Sequence, residues 1–249
     1  MIRLSVNVNK VATLRNSRGG ALPSVVHAVE VCVDAGAHGI TVHPRADARH
    51  ITTADVCEIA SHLAPLRGTV ELNIEGDPRP DLLQLVDTVR PDQCTLVPVR
   101  PGEITSQAGW APDTPRADVA GVVSRLRAAG RRVSVFVDPD EAAIRWAADL
   151  GADRIELYTE PFARSFERGP QDAERSVATY AAAAELANRL QLGVNAGHDL
   201  TLENLVLFRR LPHLDEVSIG HALISHALLV GLAPSVRDYL NVLAARDPN

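Results

Sequence analysis

The sequence predicts an α/β fold, a (β/α)8 TIM barrel that uses residues 1–249 as one domain. Short segments rich in β-branched residues alternate with longer segments whose apolar residues recur every three or four positions. The alternation repeats eight times without a linker-like break in composition, and the length of 249 residues is typical of such a barrel. A doubly wound open sheet is the alternative. It would usually have fewer units, and no G-x-G-x-x-G follows the first strand.

Eight segments have the composition and length of strands in a parallel sheet. The predicted strands are residues 3–8, 39–43, 70–75, 94–98, 133–138, 154–159, 192–197 and 216–220. The helical period marks the segments between and after them, at residues 25–36, 53–64, 81–89, 117–130, 140–151, 173–190, 202–211 and 222–245. The last segment is interrupted near Gly231 and Pro234, so it is expected to form two helices.

Residue types at the ends of the helical segments agree with these bounds. Glycine suits a left-handed C-terminal cap, and three helical segments end on one: Gly36, Gly130 and Gly151. Hydroxyl and carboxylate side chains suit N-caps, and three of them stand at helix starts: Thr52, Thr53 and Asp138.

Composition excludes several classes of function. The net charge is −6 without a long basic run, which argues against nucleic-acid binding. No apolar run approaches the roughly 20 residues of a membrane span, and the polar N-terminus does not resemble a signal peptide. A cytoplasmic protein is therefore expected. The three cysteines, Cys32, Cys57 and Cys94, are far apart and are predicted to be core residues rather than zinc ligands or a disulfide.

Functional residue types follow almost every predicted strand. In a barrel of this kind the chemistry lies at the C-terminal ends of the strands, so these side chains are expected to meet at one mouth. Each alone could be turn chemistry or a capping group, and it is their convergence that predicts a site. In strand order they are Asn7, Asn9 and Lys10; His43, Arg45, Arg49 and His50; Asn73 and Glu75; Arg100, Glu103, Thr105 and Ser106; Asp138; Glu156 and Thr159; Asn195, Gly197 and His198; Gly220 and His221.

These residue types favour acid–base chemistry on small phosphorylated substrates. Arginines and the backbone N–H groups near glycine bind phosphate, and the loops after strands 7 and 8 are a frequent phosphate site. His43 and His198 titrate near neutrality. Burial would raise the pKa of Glu75 and suit it to proton transfer, although a structural carboxylate paired with an arginine is the alternative. Lys10 could form a Schiff base, but strand 6, the frequent position of such a lysine, has none.

A metal is not expected at this site. Strand 1 lacks the His-x-His of metal-dependent hydrolase barrels. Four histidines could in principle act as ligands, namely His43, His50, His198 and His221. The positive charge of the neighbouring lysine and arginines disfavours a bound metal ion.

The same residues carry a resemblance that covers nearly the whole chain. The segments VNVNKVATLRNSRGG, GITVHPRADARHI, LNIEG, LVPVRPGEIT, VSVFVDPD, IELYT, VNAGHDLTLENL and SIGHALI occur in this order. Together they resemble the pyridoxine 5′-phosphate synthase family, the ring-closing enzymes of vitamin B6 biosynthesis. The resemblance implies a barrel with extra helices and a homo-octamer built from dimers. It also implies condensation of 1-deoxy-D-xylulose 5-phosphate with 3-amino-2-oxopropyl phosphate, without cofactor or metal.

The resemblance further implies a role for each matching residue. His43 and Glu75 match proton acceptors, His198 matches the proton donor, and Glu156 matches a residue that stabilises the transition state. The amino-ketone phosphate site is matched by Asn7, Arg18, Gly220 and His221. The deoxyxylulose phosphate site is matched by Arg45, His50 and Thr105. Residues 100–115 resemble the family's mobile cover over the site.

The chain departs from the family pattern at two places. Many members read Asn-x-Asp-His where this chain has Asn7-Val8-Asn9-Lys10, and many have glycine where it has Asp199. Asn9, Lys10 and Asp199 are kept as substrate-binding candidates, because Lys10 still supplies positive charge and a backbone N–H can survive at 199. The alternative functions are another phosphosugar isomerase or aldolase, and a non-catalytic barrel that binds phosphorylated metabolites.

Overall fold

A closed barrel of parallel strands forms the centre of the computed structural model, which describes residues 1–98 and 107–245. The strands are β1 (Arg3–Asn7), β2 (Gly39–Val42), β3 (Glu71–Gly76), β4 (Gln93–Leu96), β5 (Arg132–Val137), β6 (Arg154–Tyr158), β7 (Gly193–Gly197) and β8 (Leu214–Ile219). Each strand pairs with the next along the chain, and β8 pairs with β1 to close the barrel. The predicted (β/α)8 fold is confirmed, and every predicted strand lies within two residues of an observed one.

Helices surround the barrel. Within the described residues they are α1 (Asn9–Asn16), α2 (Val25–Asp34), α3 (Thr53–Leu63), α4 (Pro80–Val89), α5 (Arg116–Ala128), α6 (Glu141–Asp149), α7 (Glu160–Arg168), α8 (Pro170–Arg189), α9 (Leu202–Phe208), α10 (His221–Val230) and α11 (Leu232–Ala244). A 3-10 turn, Ala64–Leu66, follows α3. The last predicted helical stretch is indeed two helices, divided at Gly231. None of these helices is long and apolar enough to cross a membrane.

The predicted helix ends are confirmed in part. The three glycines at helix ends, Gly36, Gly130 and Gly151, all have positive φ. The Thr52 side chain caps α3, where it accepts from the Asp55 N–H, and Thr53 is the first helical residue.

The prediction for Asp138 is wrong. The N-cap of α6 is Asp140, whose carboxylate accepts from the Ala143 N–H at 2.9 Å. Asp138 instead accepts from the Gly109 N–H, so it ties the end of β5 to the segment before α5.

Two helices, α1 and α7, were not expected from the sequence. α1 has few apolar residues, and tertiary contacts support it: the Arg15 guanidinium pairs with the buried Asp55 carboxylate. The sequence of α7 did contain a signal, because Pro161 suits a first turn and Phe162 and Phe166 have helical spacing. Both helices begin two residues after a strand ends. The first residues of α1 therefore lie at the barrel mouth.

The interior of the barrel is polar, and the apolar core lies between the strands and the helices. Gln93 and Asn195 belong to β4 and β7, which are not neighbours, yet their side-chain amides meet at 3.4 Å across the barrel. Ser5 and Thr41 share a buried hydrogen bond of 2.7 Å. Alternate strand residues are apolar and buried outside the barrel, among them Leu4, Val6, Ile40, Val42, Ile74 and Leu96. The site at the mouth is therefore built above a polar floor.

The cysteines are free thiols. Cys32 and Cys94 are buried, as expected of core residues, and Cys57 is half-buried.

Candidate active site

A cavity of about 490 Å³ lies at the C-terminal mouth of the barrel. Most of the predicted site residues line it: Asn7, Asn9, Lys10, His43, Arg45, His50, Glu75, Glu156, His198, Asp199, Gly220 and His221. Arg18 does not line it and lies in the exposed turn after α1. Thr105 falls outside the described residues. Closure of the barrel thus brings residues from strands 1, 2, 3, 6, 7 and 8 to one place.

The structure adds lining residues that the sequence reasoning did not single out. Thr13 lies on α1 one turn after Asn9 and Lys10, so it shares their side of the helix. A helix prediction for residues 9–16 would have found it. Ser218, Ile219 and Ala222 also line the cavity, around the end of β8.

Glu75 and His43 form a buried pair on neighbouring strands. The Oε2 atom of Glu75 lies 3.8 Å from Nδ1 of His43. Burial, with a contribution from Glu216, raises the pKa of Glu75 to about 8. Burial, with the nearby charges of His50 and Arg45, lowers the pKa of His43 to about 3. At neutral pH the carboxyl therefore holds a proton and the imidazole does not, so the pair can both donate and accept.

The Nε2 atom of His43 is buried, and no protein group in the described residues hydrogen-bonds to it. An unpaired polar atom at this depth costs free energy unless a ligand or water satisfies it. Nε2 is therefore a contact point for whatever occupies the cavity.

Asn9 has a defined orientation that its amide chemistry explains. Its Oδ1 accepts from the backbone N–H of His43 at 3.0 Å, and its own N–H donates to Oδ1 of Asn7 at 3.0 Å. Because a backbone N–H can only donate, the oxygen of Asn9 must face His43, which leaves Nδ2 as a donor on the cavity side. An aspartate at this position would present a carboxylate acceptor there instead. Asn9 therefore offers a hydrogen-bond donor to the cavity while its oxygen supports the backbone of His43.

Lys10, Arg45 and Arg49 line one side of the cavity near His50, and Arg49 is paired with Asp47. Burial, together with Arg45 and Lys10, lowers the pKa of His50 to about 4. Guanidinium and ammonium groups in this arrangement bind phosphate through charge-assisted hydrogen bonds. This wall can hold the anionic end of a substrate.

Glu156 lies directly against Gly197 of the neighbouring strand. A Cβ atom at position 197 would be 2.5 Å from Oε1 of Glu156 and 3.2 Å from the Ser218 carbonyl oxygen, so a side chain there would force the buried carboxyl to shift. Burial raises the pKa of Glu156 well above its usual range, and Glu75 and Glu216 add to the shift. Burial therefore favours the protonated form of Glu156, which can donate a hydrogen bond.

His198 follows β7 and is half-buried between two aromatic rings. Its ring centroid is 5.3 Å from that of Phe136 and 5.4 Å from that of Tyr158. The loss of water around the ring lowers the pKa of His198, and the carboxylates of Asp199 and Glu160 act in the opposite direction. His198 has φ of 83° and Asp199 has φ of 56°, so this chain places two consecutive non-glycine residues in the left-handed region.

Comparison with known proteins decides the family. The model for "Pyridoxal phosphate biosynthesis protein PdxJ" matches residues 4–245. The chain belongs to the PdxJ family. It is 51% identical over 244 residues to a pyridoxine 5′-phosphate synthase from Bacteroides fragilis, covering 98% of this chain and 100% of the relative. It is 48% identical over 254 residues to the protein of that name from Leptospira biflexa, covering 98% of both.

A solved structure outside the PdxJ family shares the fold alone. Phosphoribosyl anthranilate isomerase from Thermotoga maritima superposes with a TM-score of 0.59 at 13% identity, covering 98% of each chain. The resemblance read from the sequence motifs is therefore confirmed at the level of the family, and the barrel architecture extends beyond it.

The contact between Gly197 and Glu156 makes a testable prediction. Gly197→Ala is expected to lower the free energy of unfolding by about 1–3 kcal/mol, because the new methyl group forces a buried carboxyl aside. In a Glu156→Ala background most of this loss should disappear, since the clashing atom is gone. Chemical denaturation of the four proteins measures the coupling.

Gly121→Ala is the matched control. Gly121 lies within α5, and a Cβ there would meet nothing within 4 Å. This change should leave stability equal or higher by up to about 1 kcal/mol. The steric explanation would be contradicted if Gly197→Ala lowered the free energy of unfolding equally in the wild-type and Glu156→Ala backgrounds.

Proposed function

We propose that the chain is a pyridoxine 5′-phosphate synthase, which condenses 1-deoxy-D-xylulose 5-phosphate with 3-amino-2-oxopropyl phosphate and releases phosphate and water. The observation that carries the proposal is the cavity itself. It holds the buried pair of Glu75 and His43 between a cationic wall and the start of α10. The same activity is supported by membership of the PdxJ family. Two relatives named pyridoxine 5′-phosphate synthase are 48% and 51% identical to the chain.

Two groups of lining residues suit two phosphate groups. Lys10, Arg45 and His50 are the proposed binding residues for the deoxyxylulose phosphate, together with Thr105. Asn7, Gly220 and His221 are proposed for the amino-ketone phosphate, because α10 begins at His221 and its first N–H groups favour an anion. Asp199 is proposed at the rim of this second site. Arg18 lies outside the cavity, so its contact with this phosphate stays a prediction.

The protonation states of the buried side chains support an order of the chemical steps. The substrate amine attacks the ketone of the sugar phosphate, and the adduct loses water to form an imine. His43 is neutral at neutral pH and can accept a proton at once, whereas Glu75 can accept only after it has lost its own. Glu156 is placed to stabilise developing negative charge by donating a hydrogen bond. His198 becomes a proton donor when a bound phosphate raises its pKa.

The pKa of Glu75 predicts the pH dependence. If the ionised form of Glu75 is required, kcat/KM should rise about tenfold per pH unit below about 8 and level off above it, because Glu75 holds its proton below that value. Initial rates between about pH 6 and pH 9 measure the profile. A rate that stays flat across this range would contradict proton acceptance by Glu75.

The activity is tested with both substrates present, the amino ketone being generated freshly, and with a metal chelator added. Pyridoxine 5′-phosphate detected by mass spectrometry, with released phosphate, is the expected result, because the proposal needs neither cofactor nor metal. Glu75→Gln should abolish turnover and still bind inorganic phosphate. Glu174→Gln, at an exposed glutamate of α8, should retain the wild-type rate within about twofold.

Each alternative function has its own outcome in this assay. A phosphosugar isomerase or aldolase would convert a single sugar phosphate without the amino ketone. A binding-only barrel would bind both substrates and release no phosphate. Activity that disappears only with the chelator would contradict the metal-free proposal.

A cytoplasmic homo-octamer, assembled as a tetramer of dimers, is part of the proposal. Its support is apolar surface at the end of α10, where Leu228 and Leu229 are 72% and 86% exposed. Leu22, in the segment before α2, is 78% exposed. Exposed large apolar groups of this kind favour burial against another subunit.

Light scattering coupled to size-exclusion chromatography tests the assembly. The mass expected is about eight times the 26.7 kDa of one chain. The double substitution of Leu228 and Leu229 by lysine should yield smaller species, because it places charge on the apolar surface. A wild-type monomer at micromolar concentration would contradict the octamer.

A further inference from the structure

The backbone around His198 is held in a conformation that needs external support. His198 and Asp199 both have positive φ, at 83° and 56°, and neither is glycine. Side chains other than glycine disfavour this region, so the conformation persists where neighbouring groups hold it. None of the roles proposed for the site residues accounts for the groups that hold this backbone in place.

Thr159 supplies the support from the neighbouring strand. It follows β6, is fully buried, and directs its hydroxyl at the two carbonyl groups on either side of the His198 Cα, those of Gly197 and His198. Its Oγ1 donates to the Gly197 carbonyl at 2.6 Å and also to the carbonyl of His198. Its backbone N–H donates to the Gly197 carbonyl at 3.0 Å. One hydroxyl hydrogen is thus shared between two successive carbonyls, which keeps both turned toward β6.

A second contact fixes the other end of the turn. The Nδ2 of Asn204, in the first turn of α9, donates to the Asp199 carbonyl at 2.9 Å. Hydrogen bonds therefore hold the carbonyl groups of three successive residues, Gly197, His198 and Asp199. In a trans peptide the N–H points opposite to the carbonyl, so the N–H of Asp199 points away from Thr159.

A threonine at the N-cap position of a helix usually caps that helix with its hydroxyl. Thr159 occupies the N-cap position of α7, but its side chain makes no capping hydrogen bond to that helix. Its hydroxyl is committed to the β7 turn instead. The imidazole held by this turn packs on Phe136 and Tyr158, and the charged or titratable groups that act on it are Asp199, Glu160 and, across the cavity, His43.

We propose that Thr159 is a positioning residue for His198. The Thr159 hydroxyl sets the left-handed turn that aims the imidazole of His198 into the cavity. The proposal rests on the proposed function only in giving His198 a part in proton transfer. Thr159 itself does not line the cavity.

The test compares two variants of Thr159 with the wild type by steady-state kinetics. Thr159→Val removes the hydroxyl and keeps the shape, and it should lower kcat by about 10- to 100-fold with KM for the sugar phosphate within about twofold. Thr159→Ser keeps the hydroxyl and should recover kcat to within about threefold of wild type. The pH profile of kcat should change in Thr159→Val alone, because the environment of His198 changes.

Ser165→Ala is the matched control. Ser165 is buried on α7, and its hydroxyl donates to the Pro161 carbonyl at 2.8 Å, the same type of bond away from the cavity. It should lose stability comparably to Thr159→Val and keep the wild-type kcat and pH profile. If Thr159→Val does not fold, Thr159→Ala provides the same comparison.

A readout without turnover separates this proposal from the proposed function. In ¹⁵N-histidine NMR of the ligand-free protein, the His198 ring signal, assigned with a His198→Gln variant, should shift in Thr159→Val and not in Ser165→Ala. A shift in a protein that makes no pyridoxine 5′-phosphate would support the positioning and overturn the function. A folded Thr159→Val variant with the wild-type ring signal, kcat and pH profile would overturn the positioning, and so would a serine variant as impaired as valine.

Discussion

The pairing of β8 with β1 is the constraint on which the rest of the molecule depends. The register Leu4↔Val217 and Val6↔Ile219 closes the sheet and brings the last strand beside the first. At its upper end Gly220 lies so close to Asn7 that a Cβ would be 3.1 Å from that of the asparagine. Residues more than 200 positions apart in the chain therefore form one wall of the cavity.

The polar interior of the closed barrel sets the chemistry of its mouth. Three carboxyl groups, Glu75, Glu156 and Glu216, are buried inside it, and each is close enough to the others to disfavour a second negative charge. The arginines at the opposite end, Arg132 and Arg154, act on Glu216 in the other direction. Burial still dominates for all three, so the carboxyls hold protons at a pH where exposed glutamates would not.

Two residues near the proposed proton-transfer groups, Asn9 and Asp199, combine a structural role with a place in the cavity wall. Asn9 keeps the hydrogen bond to the His43 backbone that orders the end of β2, and presents an amide donor to the cavity. Asp199 adopts a left-handed conformation that suits glycine better, yet Asn204 and Thr159 hold the surrounding turn. In both places hydrogen bonds hold the backbone beside a proposed proton-transfer residue, and the residue itself lines the cavity.

The fold class, all eight strands and the family were predictable from the sequence, because β-branched segments, helical periodicity and the motifs at strand ends are local patterns. The residues at the mouth could also be named, because parallel strands in a barrel direct their ends to one side. α1 and α7 were not predicted, and in α1 the reason is physical: its support comes from distant groups such as Asp55.

Only the tertiary structure decided which atoms meet. Glu75 faces His43 rather than an arginine, Glu156 occupies the space beside Gly197, and Thr159 holds the turn at His198. Arg18 belongs to a recognisable motif and still does not line the cavity, because it lies in the exposed turn after α1. These distances and the burial that shifts the pKa values depend on strand register and barrel closure, which join residues far apart in the chain. Residue type by itself determined what chemistry was possible, and closure of the barrel determined which groups are close enough to carry it out.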